Sequence, residues 1–320
     1  MPLNYSNFKK NLENNFFYEK KTKIAVGVSG GPDSLALSIL LHQWIIKKKG
    51  TLIALIIDHR IRTESFFESL QTKSFLLNKG IKCKILFINK EKVKDGKLSQ
   101  ARVNRFEKLL NYCQKNKIFH LFLGHHIDDN LETFILRKIA GSNVEGLNSI
   151  QLITIIRNTQ VVRPLLFYTK KDILSFNKKI GLPFINDPSN QNTKYSRAAI
   201  REFLNLNKKM RKEINKEFRL VRRNYHFYKK MLYQILNLLI IDVGFNKLIL
   251  NAKGFFRLNY ELRENILVKG MKYVNNSNFQ IRSKKIEDLI IKISKLQNTP
   301  LISNKTLINR IDDKIIITKV

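Results

Sequence analysis

At 320 residues and 43% hydrophobic content, the chain has the size for two domains with separate cores and the composition of a globular protein in water. Its formal net charge of +34 and pI near 10.2 favour a polyanionic partner, nucleic acid or an anionic membrane, although abundant Lys, Asn and Ile also fit an AT-rich coding bias. The two cysteines, Cys83 and Cys113, lack C-x-x-C spacing, which argues against a zinc ribbon or a cysteine-held cluster.

Residues 1–17 contain no apolar core of the signal-peptide kind. The apolar run 24–28 predicts a strand and 34–47 a helix, followed by a strand at 52–57 and a helix at 63–79. A third strand is expected at 81–88 and a helix at 100–117, where Phe106, Leu109, Leu110 and Cys113 recur at helical spacing. Residues 119–123 read as a fourth strand and 128–140 as a helix. Cys83 and Cys113 fall within these apolar-patterned stretches and read as buried, reduced thiols. Strands alternating with amphipathic helices predict an α/β fold with a doubly wound, mostly parallel sheet covered on both faces.

Beyond residue 150 the pattern loosens, with an extended segment at 161–166, a helix at 169–180 and turn chemistry around Pro183 and Pro188. Near Asn205 the composition changes to a basic helical stretch, where ten lysines and arginines between 208 and 230 stand against Glu213 and Glu217. These features predict an α/β domain over 1–205 and a basic, mainly helical C-terminal domain over 206–320. Its expected elements are helices at 261–273 and 284–296 and a hairpin from 306–309 and 314–319. The apolar run 231–245 is interrupted by Gln234, Asn237 and Asp242 and does not read as a membrane span, so a cytoplasmic protein is expected.

The first strand leads directly into Ser29-Gly30-Gly31-Pro32-Asp33-Ser34. Two glycines let backbone N–H groups approach an anion, and Pro32, Asp33 and Ser34 open a helix whose N-terminus carries partial positive charge. The loop has no lysine and so is not a Walker loop. Polar segments also follow the second strand, at Asp58-His59-Arg60-Ile61-Arg62, and the fourth, at His125-His126-Ile127-Asp128-Asp129. Ligands of an open parallel sheet bind beyond the carboxyl ends of its strands, so these three segments should share one crevice. Any one acid has a plainer reading, as a helix cap or first-turn carboxylate.

Ser-Gly-Gly-x-Asp-Ser resembles the PP-loop of the N-type ATP pyrophosphatases, which cleave ATP between the α and β phosphates. Five further stretches resemble the tRNA(Ile)-lysidine synthetase family. They are the Asp58 to Arg62 segment, Ala101-Arg102-Val103-Asn104-Arg105-Phe106, the run from Gly124 to Thr133, Arg163-Pro164-Leu165-Leu166, and Asn186-Asp187-Pro188-Ser189-Asn190. The likeness covers roughly residues 22–204 and is weak beyond. It implies ATP-dependent adenylation of C2 of the wobble cytidine in a CAU-anticodon isoleucine tRNA, then attack by the ε-amine of free L-lysine, giving lysidine, AMP and pyrophosphate. ATP, tRNA(Ile) and lysine are thus the expected partners, Mg²⁺ the expected cofactor, and a homodimer is allowed.

By the same resemblance, Ser29, Gly30, Gly31, Pro32, Asp33, Ser34 and Asp58 bind nucleotide, with Asp33 on Mg²⁺. Arg102 and Arg105 stabilise charge on the α-phosphate or leaving group, and His125 meets phosphate or base. Asp129 and Glu132, at i, i+3 on one helix face, take the lysine amine. Arg197 and Arg201 contact substrate, although Ala199 stands where the family usually carries an arginine, and Asn130 where glutamine is common. The chain also resembles shorter members with one C-terminal domain. Two other readings are a PP-loop tRNA thiolase, which needs catalytic cysteines, and an RNA-binding protein with a relic ATP site.

Overall fold

The computed structural model describes residues 2–58, 64–88, 98–182, 196–276, 281, 283–295 and 298–320. Within it the chain divides into two compact units, Met1–Val221 and Arg222–Val320. The first holds a six-stranded sheet of β1 (Lys23–Val28), β2 (Thr51–Asp58), β3 (Lys82–Phe87), β4 (His120–Phe122), β5 (Ile153–Ile156) and β6 (Thr159–Val162), in the order β3-β2-β1-β4-β6-β5. β1 pairs in parallel with both β2 and β4, β2 with β3 and β4 with β6, while β5 runs antiparallel to β6.

Strand period two explains why the central strands read as unbroken apolar runs. Ile24, Val26, Val28, Leu52, Ala54 and Ile56 point to one face, where they pack with α1 (Tyr5–Asn15), α2 (Pro32–Lys47) and α7 (Lys170–Lys179) through Phe8, Trp44 and Ile173. Ala25, Leu55 and Ile57 point to the other face, onto Leu109, Leu110 and Cys113 of α4 (Leu98–Lys115). α3 (Glu64–Asn78) connects β2 to β3, and α5 (Ile127–Ile139) follows β4.

The chain runs outward through β1, β2 and β3, then returns to the far side of β1 as β4. That reversal opens the crevice between the carboxyl ends of β1 and β4, the position where open α/β sheets bind ligands. The expected strands and helices of this half are all present. α1, the short α6 (Val144–Leu147) and the β5–β6 hairpin are additional. The segment 161–166 is split, extended in β6 and then a 3-10 turn over Pro164–Phe167.

α8 (Ser196–Leu206) and α9 (Lys208–Leu239) meet near Asn205, where the composition shifts, whereas the division between the two units falls later, inside α9. The run 231–245 is the end of α9 continuing into β7 (Ile240–Gly244). No described helix is long and apolar enough to cross a membrane. In the second unit the expected hairpin is present as β10 (Thr306–Ile311) and β11 (Lys314–Lys319), with Asp312 in the left-handed region at its turn.

It belongs to a larger antiparallel sheet with β7, β8 (Lys247–Asn251) and β9 (Leu301–Ser303), in the order β7-β8-β11-β10-β9. α10 (Ala252–Arg257), α11 (Tyr260–Asn275) and α12 (Ser283–Lys295) join the end of α9 in covering it, so helix still outweighs strand in this unit.

Candidate functional site

The β1–α2 loop is shaped by its own side chains. Gly30 holds φ +78°, a conformation costly for any residue with a Cβ, and Gly31 caps α2 with Pro32 as its first residue. The Ser34 hydroxyl donates to the Gly31 carbonyl at 3.0 Å and accepts from the Ser29 N–H at 3.2 Å, closing the loop on the first turn of the helix. A Cβ on Gly31 would meet Ser29 Oγ at 3.5 Å and otherwise open space, so the missing side chain leaves a concavity beside the helix N-terminus.

The loop after β4 lies directly on that helix start. A Cβ on Gly124 would stand 3.2 Å from the Asp33 carbonyl carbon and the Ser34 nitrogen. His126 then caps α5, its N–H donating to Asp129 Oδ2 at 2.9 Å. α7 completes the convergence of three helix N-termini. The Asn177 amide donates to the Pro32 carbonyl at 3.0 Å, and the Lys170 N–H donates to Asp128 Oδ2 at 2.7 Å.

Charge in this crevice is paired. The Lys170 ammonium lies 2.7 Å from each oxygen of Asp33. Arg211, near the start of α9, bonds the other oxygen of Asp128. Glu132 is 1% exposed, and both its oxygens accept from Arg201, from Nε at 2.8 Å and from a terminal nitrogen at 3.2 Å. Burial pushes the Glu132 carboxyl above the usual carboxylate range, with Arg201 pulling it back, while the bond to Glu132 raises Arg201.

Ser29 to Ser34, Asp129, Glu132 and Arg201 therefore belong to one neighbourhood, and Arg197 joins it through a 3.4 Å bond to Thr133 on α5. His125 is half-buried in the β4–α5 loop. Arg105 sits on α4 one turn before Leu109, whose side chain approaches Gly27 near the end of β1. Asp58 ends β2, buried, with one oxygen accepting from the Ser65 hydroxyl at 3.0 Å. Arg102 is on α4 with its side chain outside the described residues, and His59 to Arg62 and Asn186 to Asn190 lie outside them altogether.

Sequence reasoning missed Lys170 and Arg211 and gave Asp128 only a cap. One signal was available, because Lys170 and Lys171 open α7 where the helix dipole disfavours cations. Of the cysteines, Cys83 packs on the α2 face of the sheet and Cys113 on the α4 face, and burial pushes their thiols up to about 11 and about 12. Neither is poised as a thiolate.

Residues 4–208 match the PP-loop domain family, and the chain belongs to it. Among curated proteins it is 38% identical over 198 residues to the tRNA(Ile)-lysidine synthase of Orientia tsutsugamushi (strain Boryong), covering 62% of this chain and 45% of that one. It is 36% identical over 199 residues to the enzyme of the same name from Wolbachia pipientis wMel, covering 62% and 46%. The Bacillus cereus counterpart is 34% identical over 186 residues, covering 57% and 39%.

The chain thus spans under half the length of these relatives. A solved U34-tRNA thiolase, NcsA from Methanococcus maripaludis with its 4Fe-4S cluster, shares the fold at a TM-score of 0.57 and 19% identity, over 70% of this chain and 78% of that one.

Proposed function

We propose that the chain is a cytoplasmic ATP-dependent tRNA(Ile)-lysidine synthetase that modifies the wobble cytidine of a CAU-anticodon tRNA with free lysine. The observation that carries this reading is the convergence at the β1–β4 switch point of a lysine-free phosphate loop with the Asp129–Glu132 helix face. The PP-loop match at 4–208 and the similarity over 198 residues to a synthase of that name support the same reading. The catalytic part ends near residue 205, and the RNA-contacting part begins with α9.

In the first step the C2 oxygen bonds the α-phosphorus and pyrophosphate departs. Backbone N–H groups of Gly30 and Gly31, the Ser29 and Ser34 hydroxyls and the α2 N-terminus would receive it. Arg102 and Arg105 would balance charge at the α-phosphate, and His125 would meet phosphate or base.

In the second step the lysine nitrogen bonds C2 and AMP leaves. An amine of pKa near 10.4 must first lose a proton, at about 4–5 kcal/mol at neutral pH. Glu132 is enclosed and held by Arg201, so Asp129 is the carboxylate that reaches the ammonium, and Glu132 and Arg201 hold that wall of the site.

Asp33 is a hard oxygen donor at the cradle; once the Lys170 ammonium turns from its oxygens to the phosphates, those oxygens would hold Mg²⁺ arriving with the nucleotide, an ion that would neutralise phosphate charge.

The test is purified chain with Mg·ATP, labelled lysine and CAU-anticodon isoleucine tRNA, with elongator methionine tRNA as control. Label entering only the isoleucine tRNA, with AMP released, is the expected result. AMP release without lysine transfer would move the chain to another base modification on this scaffold.

A further inference from the structure

We propose that Lys170 is a phosphate-binding residue of this site, held at the cradle by Asp33. The loop itself carries hydroxyls, backbone N–H groups and one carboxylate, but no cation. The Asp33 charge by itself would repel a triphosphate. The Lys170 ammonium, 2.7 Å from both Asp33 oxygens, cancels that charge and supplies N–H donors at the first turn of α2.

Three features fix Lys170 there. It is the first residue of α7, and Thr169 and Asp172 cap that helix reciprocally. Its own N–H is tied to Asp128. Asn177, two turns on, is bonded to the Pro32 carbonyl, so the α7 axis is referenced to the loop. A lysine in a first helical turn is disfavoured by the dipole, and the Asp33 carboxylate and incoming phosphates are anions that offset this cost. The Lys170 side chain is 37% exposed and the Asp33 side chain 27%, so both are reachable by a ligand.

The proposal rests on nucleotide binding at this loop. The experiment measures calorimetric affinities of the full chain for Mg·ATP, Mg·pyrophosphate and AMP, using wild type, Lys170→Gln, Lys170→Arg and Lys171→Gln as a control on the same turn. Lys170→Gln is expected to weaken Mg·ATP and pyrophosphate about 10- to 100-fold while AMP changes less than about twofold. Lys170→Arg should recover part of the loss, and Lys171→Gln should match wild type. Unchanged pyrophosphate affinity in Lys170→Gln, or an equal loss for AMP, overturns the proposal while the nucleotide reading stands. A wild-type chain that binds neither Mg·ATP nor pyrophosphate overturns both.

Discussion

Glu132 shows how one residue's surroundings decide its role. At i, i+3 from Asp129 it looks like half of a two-carboxylate amine site, yet it is enclosed and bonded twice by Arg201, leaving Asp129 nearer to solvent. Arg201→Met would strand an enclosed carboxyl and is expected to cost about 2 kcal/mol, less than a fully enclosed pair because the guanidinium is half in water. The sign with pH follows from the raised Glu132 pKa. Its protonated form is the one the fold tolerates, so stability is retained below the ordinary carboxylate range and lost as pH rises through the folded pKa. Urea unfolding at about pH 4 and about pH 7.5 should show the larger penalty for Arg201→Met at the higher pH. The spacing of the two acids was legible in the sequence. The guanidinium on Glu132 was not, because it comes from a helix about seventy residues away whose pairing no local pattern encodes.

At the scale of elements, the site depends on how closely β4 approaches α2. β4 is only three residues long, and the chain leaving it passes over the first turn of α2 at Gly124. Gly124→Ala would set a methyl 3.2 Å from the Asp33 and Ser34 backbone, where no side-chain rotation can relieve it. The expected result is a loss of about 1–3 kcal/mol of stability and at least a tenfold weaker affinity for Mg·ATP, read by thermal melting and calorimetry. Unchanged nucleotide affinity would show that the two segments can part without disturbing the cradle.

Most elements were legible because their patterns are strong, short unbroken apolar runs in the central strands and period 3.6 in α4 and α9. The β5–β6 hairpin was less so, since each strand has four residues and its turn uses Arg157 and Asn158 at positive φ in place of the usual glycine. In the second unit, β7 was hidden in an apolar run that continues the helix before it.

At the scale of the molecule, α9 carries a dense share of the positive charge, ten lysines and arginines against two glutamates. Lys208, Lys212, Lys216, Arg219 and Arg223 are exposed and recur every three or four residues, forming one stripe, while Phe218 and Leu232 are buried. If the stripe binds RNA phosphates, the logarithm of tRNA affinity should fall linearly with the logarithm of salt concentration. Changing Lys212, Lys216, Arg219 and Arg223 to glutamine should then reduce that slope by about 3–4. An unaltered slope would assign the stripe to solvation of the helix.

By itself the sequence determined the fold class, the phosphate loop and the family, because these rest on local chemistry: short apolar strand runs, glycine where φ is positive, and a proline-started helix. Tertiary structure alone decided which charges meet. Lys170 lies 137 residues from Asp33, Arg211 83 from Asp128 and Arg201 69 from Glu132. Those pairs exist only because the strand order reverses between β1 and β4 and brings three helix N-termini to one point.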